Sequence, residues 1–174
     1  MDPEPRRVRV DVEIESKADD ITASTGSVVH FYPRLLVDGR RFAGSFEYEL
    51  TEVLDVEALF RSLREPGRLP LFTCTCGIFG CGGCWIDAVH TEHAWMLRNA
   101  YDPTDADAER AELVEEFAFA VPWDNVRTVA ATIDAALERI RARHPGQSIS
   151  NGFYGNRLDD VRLEPNTAAE RTGD

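Results

Sequence analysis

The sequence predicts an α+β domain: a mainly antiparallel β-sheet packed by two helices, with a cysteine- and glycine-rich turn between the helices. Three observations carry this prediction. Apolar residues alternate at period two in several separate segments, the pattern of strands with one buried face. Two other segments carry apolar residues at helical spacing. The elements run strands, helix, strands, helix, without the alternation of strand and helix that builds a parallel sheet.

Residues 8–14 place Val8, Val10, Val12 and Ile14 on one face and Arg9, Asp11 and Glu13 on the other. Residues 18–26 are small and polar and read as a loop. Residues 27–37 form the second strand, in which Pro33 marks an edge or a bulge because proline cannot donate to a ladder. Asp38-Gly39 is a hairpin turn of the kind that needs positive φ, and the returning strand carries Phe42, Gly44, Phe46, Tyr48 and Leu50 at period two. Asp55 is placed as an N-cap, with Val56, Leu59, Phe60 and Leu63 on one face of a short helix that Pro66-Gly67 ends. Residues 85–89 and 94–100 read as two strands joined at Thr91-Glu92, residues 102–112 as an acidic loop, and Phe117, Phe119 and Val121 as a further strand. Asp124 is expected to cap a long helix whose buried stripe is Val126, Val129, Ala130, Ile133, Leu137 and Ile140. Arg139, Arg141 and Arg143 suit its last turn, where cations oppose the helix dipole, and Pro145-Gly146 stops it. Residues 1–165 read as one domain and residues 166–174 as a flexible polar tail.

The length of 174 residues suits a single domain. No stretch approaches the ~20 apolar residues of a membrane span, and residues 1–7 lack the apolar core of a secretory signal. The expected location is therefore the cytoplasm, where thiols stay reduced. The net charge of -12 opposes binding to a phosphate backbone and to an anionic membrane surface. It leaves a basic protein as the expected partner, with solubility as the plainer use of the charge. Asp102, Asp105, Asp107 and Glu109 share the acidic loop and are the candidate partner-binding residues, since loops on a rigid scaffold commonly carry binding. That loop lacks the glycine and terminal glutamate of an EF-hand.

The chemically distinctive segment is Cys74-Thr-Cys76-Gly-Ile-Phe-Gly-Cys81-Gly-Gly-Cys84, which holds all four cysteines of the chain. Four thiolates enclose a zinc ion tetrahedrally. The glycines let the turn fold tightly and aim backbone N–H groups at sulfur. Against this, the four-residue gap between Cys76 and Cys81 is far shorter than the spacing of ordinary zinc half-sites, so the site has to be a compact knuckle. A set of three cysteines with His90 or His93 is also open. Two other readings compete with zinc. One is a group of reduced thiols packed beside the core. The other is a redox dithiol at Cys81 and Cys84, which is weakened because residues 85–89 read as a strand, not as the helix whose dipole would lower a thiol pKa. The runs Thr73-Cys74-Thr75-Cys76-Gly77 and Gly80-Cys81-Gly82-Gly83 resemble a motif of uncharacterised small bacterial proteins. The resemblance covers residues 71–99, rests on the first three cysteines and the glycines more than on Cys84, and implies no activity.

Trp85, Trp95 and Trp123 are candidates for a binding surface, but aromatics in strands are usually core. The run Asn-Gly-Phe-Tyr-Gly-Asn at residues 151–156 reads as a segment that packs the tail onto the domain, or as a binding loop. With no complete catalytic constellation and a strong acidic balance, the favoured function is a non-enzymatic binding protein of inhibitor or immunity type that holds a basic partner. The alternative is a metal-dependent or thiol-redox enzyme using the cysteines. The charge also generates a test. Plain duplex DNA should give no gel shift at physiological salt, and a shift that weakens as salt is added, the mark of counterion release, would contradict the reading.

Overall fold

The computed structural model describes residues 3–19, 27–42 and 53–165. In chain order the elements are β1 (Arg6–Arg7), β2 (Val10–Ala18), β3 (Val28–Val37), β4 (Arg40–Arg41), β5 (Val53–Leu54), α1 (Val56–Ser62), β6 (Gly67–Thr73), β7 (Cys84–His90), β8 (Ala94–Tyr101), β9 (Leu113–Pro122), α2 (Trp123–Arg143) and β10 (Ser148–Asn151). The class is α+β and mostly antiparallel, as the pattern predicted. The strands are divided between two sheets. The larger has the order β1-β9-β8-β7-β6-β5; in the smaller, β10, β3 and β2 lie side by side and β4 pairs with β3. Two pairings, β1 with β9 and β10 with β3, are parallel.

Local chemistry explains most of these elements. In β2, Val10 is buried and Val12 and Ile14 are half-buried, while Asp11 and Glu13 face water. Asp38 and Gly39 take φ of 50° and 77°, and the Asp38 carboxylate is held by the Arg9 N–H and the Arg6 guanidinium. Pro33 pairs with Ile14 of β2. On the other side of β3, β10 covers residues 28–31 and β4 covers 36–37. Pro33 thus sits in the interval with no partner strand among the described residues, where its missing N–H leaves nothing unsatisfied. The expected return strand falls mainly on residues 43–52, outside the described residues, as do residues 20–26 of the expected loop and the expected tail, residues 166–174.

Asp55 caps α1 as expected, accepting a hydrogen bond from the Ala58 N–H at 2.8 Å. For α2 the expected cap is corrected. The helix begins at Trp123 with Pro122 as its N-cap and no side-chain cap bond, and Asp124 lies inside the first turn. The cause is that β9 runs directly into the helix, since Pro122 still pairs with Ala94. Asp124 keeps a favourable place near the positive end of the dipole. The predicted stripe of α2 is buried throughout, with Ala136 added. It packs against β2 of one sheet and β8 and β9 of the other, so one hydrophobic cluster joins both sheets and both helices. Arg141 does more than oppose the dipole: its guanidinium donates to the carbonyls of Leu158, Asp159 and Val161 and ties the segment after β10 onto the helix. No described helix is long and apolar enough to cross a membrane.

The two sheets are joined by a buried amide. Asn151, at the end of β10, accepts from the Val56 N–H at 2.9 Å and donates to the Leu54 carbonyl at 3.1 Å. Replacing it by alanine should cost about 2–4 kcal/mol, because two buried backbone groups lose their partner at once. N151D, which sets a buried carboxylate oxygen against the Leu54 carbonyl, should cost at least as much in urea denaturation at neutral pH.

Candidate metal centre

The three cysteines at 74, 76 and 81 lie on the connection from β6 to β7. Because β6 and β7 pair antiparallel up to Phe72 and Cys84, the intervening residues must fold back on themselves, and glycine makes this possible. The Gly77 N–H bonds the Cys74 carbonyl at 2.9 Å and the Cys81 N–H bonds the Ile78 carbonyl at 3.2 Å, closing two successive turns. Gly77 has a φ of 80°, and a side chain there would strike the Asn151 carbonyl and the Gly155 backbone. Glycine is needed at this position both for conformation and for space.

The Sγ atoms of Cys74, Cys76 and Cys81 all lie within 4.8 Å of one another. The Cys74 and Cys76 Cα atoms are 5.3 Å apart and their sulfurs are in direct contact as a pair. Cys74 is buried, Cys76 half-buried and Cys81 exposed. The Ile78 N–H donates to the Cys76 sulfur at 3.4 Å. Three thiolates at about 2.3 Å from a tetrahedral zinc stand roughly 3.8 Å apart, so the paired sulfurs of Cys74 and Cys76 have to be reduced and part before the group takes an ion. A soft sulfur set of this kind selects zinc, copper(I) or iron–sulfur chemistry. The group can hold a metal ion.

Residues 151–156 grip this knuckle from the side. The Phe153 and Tyr154 N–H groups donate to the carbonyls of Thr75 and Cys76 at 3.1 and 2.6 Å, and the Gly152 N–H donates to the Phe31 carbonyl at 2.7 Å. Gly152, with a φ of 73°, meets Gly77 backbone to backbone. Phe153 stacks on His30 with ring centroids 4.6 Å apart, and His30 Nε2 pairs with Asp19 at 2.7 Å. Behind the loop, Asn156 donates to the second oxygen of Asp55 at 3.2 Å. Burial pushes the Asp55 carboxyl up to about 6, and the Ala58 N–H only partly offsets the effect.

The other candidate ligands are elsewhere. Cys84 opens β7 and is 4% exposed, packed in the core; burial, with a smaller effect of the Glu115 charge, pushes its thiol up to about 12. It is the fourth cysteine of the sequence but does not join the other three. Its parity is the reason: Cys84, Ile86 and Ala88 share the buried face of the strand. His90 ends the same strand, about 20 Å along it at 3.3 Å per residue, and bonds the Ser62 carbonyl at 2.6 Å against Trp123. His93 is on the exposed turn beside Glu92. Neither histidine reaches the sulfurs. Trp95 is in the core, while Trp85 and Trp123 each donate to a backbone carbonyl, of Asp105 and Thr91.

The acidic loop is internally braced. Asp102, Asp105 and Asp107 accept from the N–H groups of Thr104, Asp107 and Glu109 respectively. The Thr104 hydroxyl and N–H hold the Asp102 carboxyl below its ordinary value, and Asp107 also meets Arg110 at 3.4 Å. Asp107 and Glu109 are exposed, and Asp102 and Asp105 half-buried. The gripping loop at 151–156 is the element whose role the sequence reading did not assign to the cysteines. Its signal was the pair of glycines flanking two aromatics, which matches the glycines of the knuckle. No family model matches this chain, and no curated protein or solved structure is significantly similar to it.

Asp55 gives the centre's surroundings a pH signature. A carboxyl whose folded pKa is raised stabilises the fold below its unfolded pKa and loses that contribution as pH rises through the folded value. Between pH 4 and pH 7 the unfolding free energy of the protein should therefore fall, relative to that of D55N, by about 1–3 kcal/mol. A flat or rising difference in urea denaturation would contradict the burial assigned to this group.

Proposed function

We propose that the chain is a non-enzymatic binding protein in which Cys74, Cys76 and Cys81 hold one zinc ion, and that the ion stiffens the turn against residues 151–156. The observation that supports this reading is the convergence of three sulfurs within 4.8 Å on a turn whose backbone carbonyls are already bonded to a second loop. No histidine or carboxylate among the described residues joins the group, so a general base for hydrolysis is not supplied beside it. The net charge of -12 favours a basic protein partner, as complementary charge speeds association and selects among partners. The braced loop with Asp102, Asp105, Asp107 and Glu109 is the proposed contact, because its turns hold the Asp102, Asp105 and Asp107 carboxylates in place before binding.

A second reading is favoured by one observation, the direct pairing of the Cys74 and Cys76 sulfurs. In it those two cysteines are a redox pair, with Cys81 and Cys84 free. Metal content and thiol count separate the two. Native mass spectrometry of protein purified without added metal should show about one zinc per chain, lost in C81S and kept in C84A. Metal-free protein with two titratable thiols in denaturant would select the redox pair instead.

A further inference from the structure

We propose that a metal ion held by Cys74, Cys76 and Cys81 takes its fourth ligand from outside the chain, as the imidazole of a histidine carried on an apolar peptide. The inference rests on the metal reading above and extends it to the partner. Structural zinc sites are closed by four protein ligands, whereas a site with three keeps one position open to an incoming group. Here the fourth cysteine is turned into the core, His90 and His93 lie at the far end of β7, His30 beside Phe153 is paired with Asp19, and the described residues add no other ligand to the three sulfurs. Cys74 is buried and Cys81 is exposed, so the group is reached from solvent on the Cys81 side.

Both loops of the centre carry exposed apolar side chains. Five large hydrophobic side chains are exposed among the described residues, and three of them stand on the two loops that form the centre: Ile78 at 49%, Phe153 at 39% and Tyr154 at 69%. Phe153 and Tyr154 meet edge to face at 4.5 Å, and their backbone N–H groups are fixed to the knuckle. Exposed aromatics on the loop that is bonded to the knuckle give an incoming donor an apolar body to rest on. Charge selects the donor. A divalent ion with three thiolates already carries one negative charge, on a chain of net charge -12. A fourth thiolate would add another, with one N–H among the described residues, that of Ile78, reaching a cysteine sulfur. A neutral imidazole adds none and is a regular zinc ligand beside cysteines.

Cobalt(II) reports the ligand set directly. The reduced protein loaded with cobalt(II) should show thiolate-to-metal charge transfer, and its d–d absorption should shift on addition of acetyl-Leu-His-Leu-amide. Half-saturation should come at about tenfold lower concentration than with acetyl-Ser-His-Ser-amide, as burial of two apolar side chains implies. The advantage should vanish in the double variant I78S/Y154S, whose charge-transfer band should persist because both side chains are exposed. Equal affinity for the two peptides, a d–d band that moves only with 2-mercaptoethanol, or one that no donor moves would overturn the proposal while leaving the metal reading intact. Absence of charge transfer altogether would sink the metal reading and this inference with it.

Discussion

The contact on which the rest of the structure depends is the one between two stretches of backbone, residues 74–77 and 151–155, pressed together with no room for side chains. Gly77 lies against the Asn151 carbonyl and the Gly155 backbone, and Gly152 lies against Gly77 in turn. Such closeness lets the Phe153 and Tyr154 N–H groups reach the carbonyls of Thr75 and Cys76. It also fixes where Asn151 stands, and Asn151 in turn joins β10 of the smaller sheet to β5 and the start of α1. The cysteine turn, the two sheets and the shorter helix therefore share one joint. A methyl group at Gly77 would part the backbones and disturb all of them.

The polar groups buried at this joint make it specific. Asp55, Asn151 and His30 are all nearly excluded from water, and each makes at least one directed hydrogen bond across it or beside it. Apolar side chains of similar volume would tolerate sliding of the loops; directed bonds do not. The cost of burying them appears in the raised Asp55 carboxyl. It is borne where register decides whether the three sulfurs meet.

The sequence was legible where a pattern repeats. Alternation at Val8 to Ile14, the turn at Asp38-Gly39, the cap at Asp55 and the stripe from Val126 to Ile140 each follow from local geometry, and each has its counterpart in the structure. It was less legible where long-range pairing decides. Nothing near β3 signals that its parallel neighbour is β10, and so the division into two sheets was not foreseen. The cysteines show both sides. Proximity in sequence brought Cys84 into the expected ligand set, yet Ile86 and Ala88 at its own parity already placed it on the buried face. His90 looked free beside a turn, but the end of α1 claims it through the Ser62 carbonyl, a contact that sequence spacing does not encode. Pro122 was passed over in favour of Asp124 because a strand that becomes a helix without a loop leaves no capping residue to recognise.

The parallel pairing of β10 with β3 sets an order on assembly. Contacts between distant parts of a chain close large loops and form late. Domains emerge from the ribosome from the N-terminal end, so the cysteine turn leaves the tunnel well before residues 148–156. Until those arrive, the carbonyls of Thr75 and Cys76 lack the donors that fix them, and the three thiols ride on an unconstrained glycine-rich segment. A nascent chain is in this respect a different molecule from the finished one: it carries the three cysteines without the geometry that organises them. Formation of β10 ends that interval.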